Sequence, residues 1–277
     1  MRGFRNRSGM KLAADEAGDV GAPIVLFLHG GGQTRHSWGT AVSALARAGF
    51  HAITLDLRGH GESDWAPDGV YDLEAMQADL LDVLAQLALR PALVGASLGG
   101  LTALLAVGTS ERPIARALVL VDVAPQIEMA GAVEIRDFML ANPHGFATVD
   151  QAAEAVAAYL PHRPRPDDLS GLLRNLRLRD DGRYYWHWDP KLLAGPRQVD
   201  PVDRRAMLED AARHIAVPTL LIRGGRSRVV SLEGAEAFRR LVPGSEFVNI
   251  ERADHMVAGD ANDAFNAPLL DFLQRTL

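Results

Sequence analysis

Gly95-Ala96-Ser97-Leu98-Gly99 sets a serine among small residues where a β-type run gives way to a helical one. Ala92 to Gly95 reads as a buried strand and Leu98 to Val107 as a helix starting directly after the serine, which is the context Gly-x-Ser-x-Gly requires. A turn this tight forces the serine into strained backbone geometry, and small residues at positions 95, 96 and 99 avoid the resulting clashes. The hydroxyl is then presented at a helix N-terminus, where free N–H groups favour a developing anion. The chemistry this suits is nucleophilic attack on a carbonyl. A serine N-cap in a glycine-rich turn would show the same five residues, so the flanking strand, helix and upstream glycine loop carry the weight.

A serine hydroxyl is a weak nucleophile near neutral pH and needs an adjacent base. Of the nine histidines, His255 is the one that follows the last apolar β run and precedes a closing helix, in Glu251-Arg252-Ala253-Asp254-His255-Met256. That position brings an imidazole toward Ser97. Asp122 ends the run Ala117 to Val121, one helix and one strand downstream of the serine, so a parallel sheet would carry it to the same carboxyl edge. A carboxylate ending an apolar strand is costly to bury without a partner. Capping of the next turn is the other explanation for Asp122, and Asp203, Asp254 and Asp260 are weaker candidates for an acidic partner.

The elements that must position these groups alternate. Ile24 to Leu28 and His51 to Leu57 read as buried strands feeding the glycine loops His29-Gly30-Gly31-Gly32 and Arg58-Gly59-His60-Gly61. Trp38 to Ala48 and Leu73 to Leu89 have helical spacing, the first stopping at Gly49. Pro218 to Arg223 and Glu246 to Ile250 add strands, and Ala264 to Leu277 closes the chain as a helix. This β-α-β order predicts an α/β fold, a doubly wound, mostly parallel sheet covered on both faces. Residues 125–205 break the rhythm with many prolines and no strong β run, and read as a helical cap insertion with pieces at Val133 to Ala141, Val149 to Tyr159 and Leu169 to Leu178. The core is thus expected in two parts, residues 1–124 and 206–277.

Composition narrows the partners. The 277 residues carry a formal charge of -6, which argues against a nucleic-acid surface built on excess Lys and Arg. No run of eighteen apolar residues is present, so no membrane helix is expected. The basic opening, Arg2, Arg5 and Arg7, lacks an apolar segment behind it, and a cytoplasmic protein is expected. With no cysteine, disulfides and thiolate chemistry are excluded. Scattered pairs such as Asp56 with His60 form no metal set, and no phosphate loop stands in proper context.

The motifs His29-Gly30-Gly31-Gly32, Arg58-Gly59-His60-Gly61-Glu62-Ser63, the turn at Ser97 and Asp254-His255 together make the chain similar to α/β-hydrolases along nearly its whole length. The resemblance implies an eight-stranded sheet and an oxyanion hole built from the amides of Gly31 and Leu98, with Gly32 as an additional candidate; acyl transfer requires such donors wherever it occurs. It also implies an acid after the strand Pro218 to Arg223, and there this sequence has Arg228. Some relatives carry the acid after the preceding strand instead, which is the place of Asp122. The expected activity is hydrolysis of a small, largely apolar ester through an acyl-enzyme, with no metal or organic cofactor. Lactonase, carbon-carbon bond hydrolase and cofactor-free perhydrolase chemistries also fit the resemblance, as does a ligand-binding relative with little turnover. Serine at position 97 argues against an epoxide hydrolase or haloalkane dehalogenase. A homo-oligomer is left open.

Trp38, Trp186, His187 and Trp188 are expected either to line the substrate pocket or to pack the insertion onto the core. Glu62, Ser63 and Asp64 are expected to fix their loop rather than react.

Overall fold

The computed structural model describes residues 2–161, 165, 167–194, 200–255 and 262–277. Its strands are β1 (Arg2–Arg5), β2 (Lys11–Ala17), β3 (Ile24–Leu28), β4 (His51–Leu55), β5 (Ala92–Ala96), β6 (Ala117–Val121), β7 (Leu176–Leu178), β8 (Tyr184–Trp186), β9 (Thr219–Gly224) and β10 (Glu246–Ile250). Its helices are α1 (Gly39–Arg47), α2 (Leu73–Leu84), α3 (Ser97–Thr109), α4 (Met129–Leu140), α5 (Val149–Tyr159), α6 (Ser170–Leu173), α7 (Lys191–Ala194), α8 (Pro201–Arg213), α9 (Leu232–Leu241) and α10 (Asn262–Thr276).

Eight strands form one sheet in the order β1-β2-β4-β3-β5-β6-β9-β10. The pairs β1/β2 and β2/β4 are antiparallel, and all others are parallel. Because side chains alternate along a strand, each central strand feeds two cores. Leu26, Leu28, Leu93, Leu118, Leu120 and Leu221 pack in one core with residues of α2, α3, α8 and α9. Val25, Phe27, Val94, Val119, Val121 and Ile222 pack in the other with Trp38, Leu45, Phe265 and Phe272. The strands β3, β5 and β6 are accordingly apolar at every position, the pattern of a sheet buried on both faces.

Helix starts follow local capping chemistry. Asp72, Thr148, Asp200 and Ser231 each accept a backbone N–H at the start of α2, α5, α8 and α9, satisfying donors that have no intrahelical partner. Pro201 opens α8, where its missing N–H is not needed.

Several features differ from the sequence expectation. The basic opening is strand β1, which pairs with β2, and Arg2 meets Glu16 across the two strands at 3.2 Å; neither strand has an apolar run long enough to announce it. The third helical piece of the insertion is a single turn, α6, followed by the β7–β8 hairpin, in which the aromatic residues of β8 suit a pleated pair. The helix from Leu73 stops at Leu84 rather than Leu89. Within the insertion α5 stands where expected and α4 begins at Met129 rather than Val133, whereas α8 packs Leu208, Ala211 and Ala212 into the main core, so residue 205 lies in the middle of a core-packed helix.

Candidate active site

The turn between β5 and α3 is among the most crowded in the molecule. A Cβ on Gly95 would come within 2.6 Å of Gly99 O and Gly100 Cα, one on Gly99 within 2.4 Å of Leu28 O, and one on Gly100 within 2.4 Å of a Val123 methyl. Only glycine fits at these three positions, and the squeeze leaves Ser97 with φ +45°, in the left-handed region. A non-glycine residue held there costs of order 1–3 kcal/mol, sustained by surrounding packing, and such strain clusters at functional sites.

Asp122 directly follows β6 and also has positive φ, +48°. Its side chain is fully buried. One oxygen, Oδ1, accepts from Gly224 N at 2.9 Å; the other, Oδ2, accepts from Ser227 Oγ at 2.5 Å and from His255 Nδ1 at 2.6 Å. The carboxylate is thus buried with a full set of donors, the condition under which burial of a charge is tolerated.

His255 reaches Asp122 because two loops are stitched together. Gly225 N donates to Ile250 O and Arg226 N to Ala253 O. The approach is close: a Cβ on Gly224 would lie 2.3 Å from Asp254 O, and one on Gly225 2.5 Å from Glu251 Cα. The imidazole side chain is 19% exposed, and it opens on the same cavity as Ser97. Since Nδ1 is the donor to Asp122, Nε2 keeps its lone pair.

Arg228 points away from this cluster and pairs with Glu134 of α4 at 2.6 Å, with 70% of its side chain exposed. It therefore ties the cap to the loop after β9. Among the other acidic candidates, Asp203 sits in the first turn of α8, and Asp260 lies outside the described residues.

The glycine loop after β3 is fixed by three buried imidazoles. His29 donates through Nδ1 to Gly30 O at 2.8 Å and accepts Leu57 N–H on Nε2 at 3.0 Å. His60 donates through Nδ1 to Arg58 O and accepts Gly32 N–H on Nε2 at 3.2 Å. His187 accepts Gly61 N–H on Nδ1 at 2.8 Å and donates through Nε2 to Gly32 O at 3.3 Å. Burial is the first cause holding all three below the usual histidine range, His60 well below and His187 down to about 3. All three are neutral, each with one donor and one acceptor in use.

A cavity of about 550 Å³ lies over Ser97, lined at its base by Gly31, Leu98 and His255. Its walls come from the cap: Met129, Val133, Phe138 and Met139 of α4, Val156 and Tyr159 of α5, then Trp186, Trp188 and Leu192. The chamber is mainly apolar, with Arg136, Glu74 and Asn175 among its polar lining residues.

Trp186 and Trp188 line this cavity, stacked on each other with centroids 5.0 Å apart. Trp38 and His187 do not. Trp38 is 1% exposed beneath the sheet, against Phe27 and Phe265, because helical spacing directs it to the core and not to the loop edge. His187 is turned under the glycine loop. Glu62, Ser63 and Asp64 fix their loop, as expected: Glu62 pairs with Arg35, Ser63 Oγ donates to Asp56 O, and Asp64 accepts Lys11 N–H. Sequence reasoning missed Ser227, whose only signal was its place in the segment that resembles the usual acid loop.

A family model described as the alpha/beta hydrolase fold matches residues 23–261. The chain is 34% identical to the esterase Rv0045c of Mycobacterium tuberculosis over 247 residues, covering 86% of this chain and 78% of that protein. It is 30% identical to the mouse (Mus musculus) sn-1-specific diacylglycerol lipase ABHD11 over 92% of this chain and 82% of that one. Among solved structures, E-2-(acetamidomethylene)succinate hydrolase superposes with a TM-score of 0.85 over 99% of this chain and 98% of that one, a likeness of fold at 24% identity. The sheet order, the cap over its carboxyl edge and a match spanning most of the sequence lead to one conclusion: the chain belongs to the alpha/beta hydrolase family.

Proposed function

We propose that the protein is a serine hydrolase that cleaves a carboxylic ester of a small, largely apolar substrate. The observation that carries this reading is the 2.6 Å bond from His255 Nδ1 to the buried Asp122, on an imidazole that shares a cavity with the strained Ser97. The names of the two relatives, an esterase and a lipase, support it.

In this reading His255 Nε2 takes the Ser97 proton as Oγ attacks the ester carbonyl. Asp122 fixes the imidazole tautomer and stabilises the imidazolium that forms. The carbonyl oxygen becomes an oxyanion at the head of α3. Gly30 N–H is taken by Gln33 Oε1 and Gly32 N–H by His60, so within the glycine loop the Gly31 amide serves the oxyanion, together with that of Leu98. Gly32 is thereby removed as a donor. The tetrahedral species collapses, His255 returns its proton to the departing alkoxide, and Ser97 is left acylated. Water then attacks the acyl-enzyme, giving its proton to His255, and the acid leaves as Ser97 Oγ recovers that proton.

Arg228 stands where the resemblance implies an acid, and a missing acid would favour a ligand-binding relative with little turnover. With Asp122 partnering the histidine, that argument loses its basis. The apolar walls favour an acyl or alcohol group without charge.

A panel of p-nitrophenyl esters and lactones, assayed beside Ser97→Ala, tests the proposal. Ester turnover abolished in the variant is expected. Turnover that survives the substitution, or no turnover of any member by the native protein, would overturn it.

A further inference from the structure

Three successive glycines have many accessible conformations, yet an oxyanion donor is effective only if it is held in place before charge develops. Gly32 shows how tightly this loop is held: its φ is +73°, and a Cβ there would meet Met139 and Trp188 of the cap at 3.3 and 3.4 Å. The polar groups of the loop are held as firmly. Gly30 O belongs to the same peptide plane as Gly31 N–H, so the His29 bond to that oxygen sets the direction of the amide on the opposite side of the plane. The next two peptide planes are pinned through Gly32 N, by His60, and through Gly32 O, by His187.

Two of these imidazoles come from core loops, but His187 comes from the cap. Its own backbone is anchored, since His187 N donates to Asn175 O at 3.1 Å. Two residues on, Asp189 N donates to Gly59 O at 2.9 Å, and the Asp189 carboxylate accepts the Tyr71 hydroxyl at 2.5 Å. Arg177 of β7 donates to Gly61 O. The β7–β8 end of the cap is therefore locked onto the turn Arg58 to Gly61, and His187 spans from that turn to the glycine loop.

We infer that His187 is a positioning residue for the oxyanion hole: through its donor bond to Gly32 O it makes the docked cap part of the framework that aims the Gly31 amide. The inference rests on the reading of Ser97 as the nucleophile. A neutral imidazole suits the task because its donor and acceptor are set at a fixed separation on a rigid ring. An apolar side chain could pack edge-on against Trp188, as the imidazole does with centroids 5.3 Å apart, but would leave both Gly61 N and Gly32 O without partners.

The test compares His187→Gln, which carries a donor to the position of Nε2, with His187→Asn, whose oxygen replaces only the Nδ1 acceptor. Rates on p-nitrophenyl butyrate are expressed per site titrated with a fluorophosphonate, so that unfolded protein drops out. His187→Asn should lose about thirtyfold or more in kcat, with KM within about twofold of native. Its affinity for butylboronic acid, which adds to a serine as a tetrahedral anion, should fall by a similar factor, while affinity for butyrate should not change. His187→Gln should recover most of the loss. Native kcat and boronate affinity in His187→Asn would overturn the inference, as would equal losses in the two variants that follow their melting temperatures. Ser97→Ala is run alongside. Activity surviving there removes the nucleophile and the whole reading, whereas activity lost there but intact in His187→Asn removes only the role of His187.

Discussion

Ser227 Oγ donates to Asp122 Oδ2, the same oxygen that holds His255 Nδ1. The serine hydroxyl also accepts the Val229 and Val230 amides, at 3.1 and 3.2 Å, so its proton is left to face the carboxylate. The loop after β9 thus offers the histidine site a donor, and the carboxylate comes from the end of the neighbouring strand. Since β6 and β9 are adjacent and parallel, with Val121 beside Ile222, an acid at either strand end can serve one imidazole without moving it.

Replacing Asp122 by Asn keeps the shape but removes the charge and permits the wrong imidazole tautomer. kcat/KM should fall by about three to four orders of magnitude, with the fold retained by circular dichroism. Arg228→Ala, by contrast, breaks one exposed pair worth about 0–1 kcal/mol and should leave ester turnover within about twofold.

Ser227→Ala removes one of the two donors to Asp122 Oδ2 and the acceptor for two amides. The expected result is a loss of stability of about 1–3 kcal/mol, read from denaturant melts, and about a tenfold lower kcat. Ser227→Thr, which keeps the hydroxyl, should restore most of the kcat.

The three neutral histidines under the glycine loop give stability a pH dependence of definite sign. Their folded values lie below the ordinary 6.5, His187 near 3. Between those limits the unfolded chain binds protons that the folded chain does not, so their contribution is complete above about pH 6.5 and declines as pH falls toward 3. Each adds a slope of up to about 1.4 kcal/mol per pH unit. The melting temperature should be level from pH 9 to 7 and drop below 6.5, and His187→Gln should show a shallower drop.

Val133 is 37% exposed and lines the cavity, so enlarging it narrows the chamber without disturbing the core. Val133→Trp should lower kcat/KM for long-chain p-nitrophenyl esters about tenfold more than for the acetate. Trp38→Ala should do the opposite kind of damage, destabilising by about 3–5 kcal/mol with KM unchanged.

Much of this architecture was legible from periodicity. The strands at Ile24, Ala92 and Ala117 are continuous apolar runs because both sheet faces are covered, and the helix after Ser97 announces itself by the glycines that let it approach the sheet. The site was legible to the extent that it depends on element order: Ser97, Asp122 and His255 each stand beside the end of a parallel strand, and strand ends share an edge. Partners set by loop conformation left little trace. Nothing in the sequence told whether His187 would face the cavity or turn beneath the glycine loop, since neighbours on a strand point to opposite sides and the register of β8 against β7 was not foreseen. Trp38 misled for a related reason, because proximity in sequence to the glycine loop says little once a helical turn swings the side chain to the other face. The opening strands β1 and β2 escaped because half of their pattern is charged and faces solvent.

In the proposed mechanism Ser97 Oγ forms a covalent bond to an acyl or phosphonyl group, with His255 as the base that takes its proton. Incubation with a fluorophosphonate followed by peptide mass spectrometry tests it directly. One adduct per chain is expected, mapped to Ser97 and formed at least a hundredfold more slowly in His255→Ala. An unmodified Ser97 in the folded native protein, or labelling at the same rate without His255, would contradict it.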